Sequence, residues 1–361
     1  MKSLLFILIG VCGIAIGANA QGCVAIKSVG GLGTMDHVDA MDSIPQKWVF
    51  NANNRYYHSF RHFVGTDEQK QRVAQGTEVI NHAYTLDLAF TRILNNRWSL
   101  SIDVPIVSNT RSSLYEHGGS ERHITSSFGL GDVRVSGYYW LLDPVKNTRG
   151  NIQVGLGLKL ATGDYKYEGR FYTNTPGVTK TGPVDQSIQL GDGGTGFTTE
   201  INAYYALNRT INLYGNFYYL INPREQNGVS TSRGGTPSAS TIAYTSDVMS
   251  VPDQWMMRAG ANFEVNKFTF SAGFREECLP VHDLIGGSGG FRRPGYIVSA
   301  EPGITYAFKK FNLYLFAPVA VVRNRTQSIP DKIRTIMTGT YAQGDAAFAD
   351  YALNIGLSLR F

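Results

Sequence analysis

From Trp48 to Phe361 the sequence keeps returning to one unit: about 10 to 16 residues that alternate with period two, then a turn or polar loop. The last copy is the clearest. Tyr351, Leu353, Ile355, Leu357, Leu359 and Phe361 make a wholly apolar face, opposite Asp350, Ala352, Asn354, Gly356, Ser358 and Arg360. A strand of that kind has hydrocarbon on one side and water on the other. The same pattern sets Ile152, Val154, Leu156, Leu158 and Leu160 against Gln153, Gly155, Gly157 and Lys159. It also sets Phe268, Phe270, Ala272 and Phe274 against Thr269, Ser271, Gly273 and Arg275. A soluble sandwich alternates too, so alternation leaves two architectures open.

Connection lengths separate them. Strands are predicted near 48–62, 77–93, 96–108, 129–143, 150–163, 196–208, 209–222, 253–266, 267–280, 295–308, 309–325 and 346–361. Tight connections fall at Leu94 to Asn96, Asn208-Arg209, Asn266-Lys267 and Lys309-Lys310, with a short one at Pro144 to Arg149. Every other connection is longer, as at Asp164–Thr195, Pro223–Pro252 and Gln327–Asp345. Strict short-long alternation and an even strand count predict an all-β, up-and-down antiparallel transmembrane barrel of about twelve strands, with short periplasmic turns and long outer loops. Open sheet edges cannot be satisfied in hydrocarbon, so the sheet must close, and both chain ends then lie on the periplasmic side.

Composition agrees: 40 glycines, 20 tyrosines and 19 phenylalanines with only 17% charged residues suit a sheet-rich chain. An apolar content of 43% is ordinary, because every second strand residue of a barrel faces a polar interior. The net charge of +5 is scattered, with no basic block that would point to nucleic acid. Lys2, the apolar run Leu4 to Gly17 and the small-x-small Ala18-Asn19-Ala20 read as a secretory signal over residues 1–20. Residues 21–47 then form an amino-terminal segment long enough to enter the lumen as a plug, ahead of the barrel at 48–361.

Cleavage after Ala20 leaves Cys23 and Cys278. Lipidation of Cys23 is the weaker alternative, since no leucine-like residue sits where that cleavage site needs one. Cys278 is expected near the outer rim and Cys23 at the periplasmic side, which predicts two free thiols. Tyr138-Tyr139-Trp140, Tyr204-Tyr205, Tyr218-Tyr219, Trp98 and Trp255 fall near strand ends, where aromatic girdles belong. The terminal Phe361 is similar to the signature that barrel-assembly machinery recognises. The other partners expected are outer-membrane lipids and a small solute.

Several segments resemble the outer-membrane proteins of the meta-pathway of phenol degradation family, which are identified as transporters. They are Arg55 to Phe63, Gly129-Leu130-Gly131-Asp132-Val133, Leu160-Ala161-Thr162-Gly163-Asp164-Tyr165, and Leu190-Gly191-Asp192-Gly193-Gly194. A more distant similarity runs to the long-chain fatty-acid transporter barrels, whose amino-terminal plug residues 21–47 match in position. Both resemblances imply a barrel and its compartment more than a substrate.

By parity the lumen receives Arg55, Arg134, Lys159, Arg258, Arg275 and Arg360 together with Asp87, Asp103, Asp132, Glu200, Glu264, Glu301 and Asp350. Such a set either pairs into a network that stiffens the barrel or lines a route for a small solute. No cofactor is implied. His58, His62 and His82 with Ser59 lack any nucleophile-elbow context, so no enzyme is expected. Asp36-His37-Val38-Asp39 would be solvated rather than metal-bound, and Leu190 to Gly194 reads as a turn into the sixth strand. Two functions follow: a channel or transporter for small molecules, hydrophobic ones included, or a non-transporting surface barrel whose long loops bind a partner.

Overall fold

The computed structural model describes residues 47–361. The signal segment, most of the 21–47 segment, Cys23 and Asp36 to Asp39 lie outside the described residues. In chain order the strands are β1 (Trp48–Val64), β2 (Asp67–Glu68), β3 (Ile80–Ile93), β4 (Trp98–Ser113), β5 (His123–Leu130) and β6 (Arg134–Trp140). They continue with β7 (Gly150–Lys159), β8 (Glu168–Tyr172), β9 (Thr179–Pro183), β10 (Gly196–Ala206), β11 (Ile211–Ile221), β12 (Gln226–Ser230) and β13 (Val248–Ser250). The last are β14 (Gln254–Val265), β15 (Phe268–Leu279), β16 (Gly295–Ala307), β17 (Phe311–Phe316), β18 (Val319–Asn324) and β19 (Ala346–Arg360).

These strands make a closed antiparallel barrel of twelve staves. Sequence neighbours pair in turn, and β1 closes on β19 from Val49↔Arg360 to Phe63↔Ala346. Two staves are broken. β5 and β6 both pair with β4 and are one stave interrupted at 131–133. β17 and β18 are one stave interrupted at Ala317-Pro318, where proline has no N–H for the ladder. β8–β9 and β12–β13 are separate hairpins within the loops.

The expected strands therefore all form, with the two boundaries of one loop clearly displaced. β4 runs to Ser113 and the following stave begins at His123, so the loop between them is shorter than the pattern suggested. In the upper half of β4 both faces are polar: Asn109, Arg111 and Ser113 point inward while Ser108, Thr110 and Ser112 alternate with them, so apolar periodicity gives no signal. On β5 the exposed Ile124, Phe128 and Leu130 do alternate with buried Thr125 and Ser127, but only over a short strand.

The barrel is inside-out relative to a soluble fold. Leu156 is 70% exposed, Ile355 52% and Phe270 45%, and with Phe90, Ile102, Val135, Ile201 and Leu313 they belong to an exposed apolar exterior. Along β19 the apolar residues from Tyr351 to Leu359 would rise about 20 Å at the usual strand tilt, close to the hydrophobic height of such barrels. No water-soluble monomer carries a patch of that size uncovered. No described helix is long and apolar enough to cross a membrane; the crossing is made by strands. The chain is a multi-pass β-barrel of the outer-membrane kind.

Candidate functional site

The inward positions are mostly polar, and together with a few rings and apolar side chains, among them Tyr138, Tyr214, Tyr218, Met256 and Phe316, they fill the lumen. On β1 and β19 they are Asn51, Asn53, Arg55, Asn354 and Ser358; on β7, β10 and β11 they include Asn151, Gln153, Glu200, Asn202 and Asn216. Asn216 donates to Asn202 at 2.6 Å and Asn202 to Gln153 at 3.2 Å, a ladder of amides across three staves. Glycine makes room where rings turn inward: a Cβ at Gly155 would stand 2.6 Å from the Tyr138 ring, and one at Gly303 2.3 Å from Phe316.

A chain of charges crosses this interior. Arg258 Nε donates to Glu301 Oε1 at 2.7 Å. Arg275 bridges Glu301 at 3.5 Å and Glu277 at 3.1 Å, and Arg55 donates to Glu277 at 2.6 Å. Arg55 stands on β1 and Glu277 on β15, four staves apart around the ring, so this pair braces the barrel across its bore. Arg258 and Arg275 side chains are fully buried with Glu301, which leaves no room for water between them. A second group joins neighbouring staves: Arg134 donates to Asp103 at 2.5 Å and to Asp87 at 3.4 Å. On the turn side of these layers Ser99, Ser101, Asp103, Asn262 and Glu264 are only half-buried, so solvent enters from that end and stops at the charges.

The third group lies at the break in the β5–β6 stave. Lys159 Nζ is 3.4 Å from Asp132 and also bonds Asp192. Asp132 Oδ1 accepts from the Gly163 N–H at 3.0 Å and its Oδ2 from the Asp192 N–H at 3.2 Å. Thr162 Oγ1 donates to Gly131 O and accepts from Val133 N, each at 2.9 Å. Three segments far apart in sequence, 129–133, 160–165 and 190–194, are thus tied into one knot. Close approach requires the glycines: a Cβ on Gly163 would meet the Gly191 backbone at 2.7 Å, and one on Gly191 would meet Asp132 at 2.5 Å. Arg224 extends the knot, donating to Gly193 O at 2.6 Å with its guanidinium over the Tyr165 ring.

Above the knot the outer loops fold inward as a plug. The 3₁₀ turn Gln186–Ile188 rests on the wall, where Asn109 and Ser127 donate to Ile188 O. Asp185 holds it, ion-paired to Arg293 at 2.6 Å and to Arg111 at 3.5 Å, while Arg111 also binds Glu116 at 2.8 Å. Burial alone would push the Asp185 carboxyl up, but Arg111, Arg293 and Arg233 outweigh it and hold it well below the usual carboxylate range. Arg292 and Asp283, both fully buried, pair at 2.6 Å under the neighbouring loop. Between plug and wall remains a cavity of about 50 Å³. Arg134, Lys159, Gln189, Asp192 and Gln254 line it, facing Leu220, Met249 and Leu279. That is room for a few waters.

Each residue placed in the lumen by parity can now be located. Arg55, Asp87, Asp132, Arg134, Lys159, Glu200, Arg258, Arg275 and Glu301 are buried inside, and Asp103 is inside but half-buried. Glu200 is paired in register with Tyr218. Glu264, contacted by Asn212, and Arg360 sit half-buried at the turn-side mouth. Asp350 stands apart. Two register shifts between β1 and β19 fall beside it, so the alternation that set it inward does not run through, and it is partly exposed between Arg61 and Arg323. Glu277, Arg111, Glu116, Asp185, Asp192, Asp283, Arg292 and Arg293 escaped the sequence reading. Most lie in loops or above the membrane, where no parity signal exists, although Asp192 stood within a motif already singled out.

The histidines have other tasks. His58 and His82 stack on the exterior at 4.4 Å, whereas Ser59 points inward and accepts from Asn81. His62 accepts from the Val79 N–H at 2.8 Å and hydrogen-bonds Asp345 at 2.9 Å, so both ring nitrogens are engaged. Among the described residues no serine is hydrogen-bonded to His58, His62 or His82. Cys278 is buried on β15 at the outer end, as the strand direction requires. Among the described residues no three His, Cys, Asp or Glu side chains are grouped to hold a metal ion.

No family model matches the chain, and no curated protein does. Among solved structures it is similar to an outer-membrane channel from Pseudomonas putida F1, over 90% of this chain and 98% of that one, with TM-score 0.54 and 11% identity. Looser matches include a Pseudomonas aeruginosa FadL homologue, covering 88% of this chain and 90% of that one at TM-score 0.43 and 8% identity. The P. putida toluene transporter TodX matches over 88% and 91% at TM-score 0.42 and 8% identity. With the apolar exterior and the closed ladder, the first of these likenesses places the chain by fold among the β-barrels of the bacterial outer membrane.

Proposed function

We propose that the protein is a passive outer-membrane channel for small solutes carrying at least one polar group, and that the charge layers with the loop plug are its constriction. One observation carries this reading: a mostly polar interior, open to solvent from the turn side, ends on a layer of paired charges and folded-in loops. A bore meant only to be filled would need no plug held by ion pairs at both Asp185 and Asp283. The lining also speaks to the solute. A hydrocarbon entering among Asn, Ser, Arg and Glu side chains would displace water from polar groups and return no hydrogen bonds. The cavity beside Lys159, polar on one wall and apolar on the other, suits small amphipathic molecules once the plug shifts.

The reading also supports kinship with the meta-pathway barrels. Three of the four segments that resemble them are those tied together at Asp132, Lys159 and Asp192, so the likeness falls on the part of the wall that supports the plug. The outer loops favour a channel over a surface receptor because they are anchored inward by Asp185, Asp283 and Arg224. Phe361 closes β19, exchanging backbone hydrogen bonds with Trp48 at 2.9 and 3.0 Å while its ring stays 59% exposed. An exposed ring there supports its reading as the docking point for barrel-assembly machinery.

Liposomes holding the purified protein test the proposal. Swelling in small sugars, amino acids and aromatic acids should exceed that of empty liposomes. Swelling no faster than that of empty liposomes in every one of them, with the barrel folded and inserted, would overturn it.

A further inference from the structure

The two ends of the barrel treat their cations differently. On the loop side arginines meet carboxylates: Arg61 with Glu68, Arg72 with Asp345, Arg122 with Glu78, Arg233 with Glu116, Arg292 with Asp283, Arg293 with Asp185, Arg323 with Asp350 and Arg325 with Asp331. On the turn side the strand ends and turns carry Lys47, Arg92, Arg97, Lys146, Arg149, Arg209, Lys267, Lys309 and Lys310. The turns 94–97, 141–149, 207–210, 266–267 and 308–310 contain a single carboxylate, Asp143, and it is spent on its own turn, accepting from the Val145 N–H at 3.0 Å.

These cations sit at a defined depth. The Arg92 guanidinium lies 4.8 Å from the centre of the Trp48 ring, Arg149 5.3 Å from Tyr205 and Arg97 5.9 Å from Tyr139. Lys309 and Lys310 are bracketed by Phe308 and Phe311, stacked at 4.2 Å. Trp48, Trp98, Leu94, Leu142, Leu207 and Phe308 are exposed among them. Aromatic rings of this kind lie at the level of lipid headgroups. Cations stacked on them therefore face phosphates, spaced around the whole circumference.

We propose that the turn-side rim is a collar that binds anionic phospholipid headgroups of the leaflet it touches. Each exposed lysine or arginine offers a phosphate donors and charge without first breaking an internal ion pair, whereas loop-side arginines would have to give theirs up. The collar would enrich anionic lipid around the barrel and fix its depth.

Three of the four tryptophans, Trp48, Trp98 and Trp140, mark the rim, and Trp255 is removed by W255F to leave only those reporters. The W255F protein is reconstituted in phosphatidylcholine vesicles doped with brominated phosphatidylglycerol or with brominated phosphatidylcholine at equal mole fraction. Quenching by the anionic lipid should show an association constant about fivefold higher, and the advantage should fall at high salt. It should shrink in W255F carrying R149Q, K267Q, K309Q and K310Q, which removes four of the collar's nine cations, with heat-modifiable gel mobility confirming that the barrel has folded. Equal quenching by the two lipids in W255F itself would overturn the proposal, whatever the variant does. So would salt-sensitive capture by purified peptidoglycan without any lipid preference, which would make the collar a cell-wall contact.

Discussion

Arg258 on β14 and Glu301 on β16 are bonded over the top of the intervening strand, at 2.7 Å, with neither side chain exposed. Arg275 of that intervening strand completes the group from below. Two arginines share one carboxylate in the middle of the bore, and Glu277 and Arg55 carry the chain across to β1, four staves away. Charges buried at this density are stable only as a set.

Replacing Glu301 by Gln should therefore leave Arg258 and Arg275 without their shared counter-charge. About 3–5 kcal/mol of stability should be lost, read as a lower temperature for the heat-modifiable gel shift. The double substitution R258M/E301L removes both charges and should recover most of it. A single variant as stable as the parent would mean that the charges are not coupled.

Asp192 ties Lys159 to the plug. D192A should release residues 184–194 from the wall, raising amide exchange there while the exchange of β10 and β11 stays slow. Unchanged exchange in the loop would show that the Asp185 anchor suffices alone.

Gly163 has no room for a side chain, since a Cβ would press on the Gly191 backbone at 2.7 Å. G163A should cost about 1–3 kcal/mol through overpacking and shift the same loop. Gly76 has a left-handed φ of +64° but nothing within 4 Å, so G76A isolates the effect of backbone strain alone.

The plug should resist acid. Asp185 is held below its ordinary pKa, so the stabilisation its charge provides is complete above the unfolded value, near pH 4, and is lost only as the pH falls through the lower folded value. The Asp345 carboxyl follows the same sign, burial raising it but His62 and Arg72 outweighing that and holding it below its usual range. Protease resistance of the loops should hold from pH 7 to about pH 5 and fail only in stronger acid. Loosening near pH 6 would implicate histidine instead.

Where one face of a strand meets lipid and the other the lumen, the fold was legible from residues alone, because the membrane forces the alternation. That is why β19, β7 and β15 could be read with their inward residues, Arg275 and Lys159 included. The signal fails where both sides of the chain are wet. The upper half of β4, with Arg111 and Ser113 inside, reads as loop for that reason, and the plug residues Asp185, Arg292 and Arg293 have no periodicity to betray them; β5 has only the short alternation of Ile124, Phe128 and Leu130. Asp350 failed differently: an inserted bulge changes parity without changing composition. Pairing was beyond reach as well, since Arg55 and Glu277 lie 222 positions apart and meet only because the sheet closes.

Planar-bilayer recording of the parent and of a variant lacking residues 184–190 tests the central claim most directly. If the plug and the charge layer beneath it form the constriction of a polar channel, the parent should show small or rare openings. The shortened protein should then show larger and longer ones, with ion selectivity altered further by E301Q. Silent bilayers from both proteins, with the barrels folded and inserted, would contradict it.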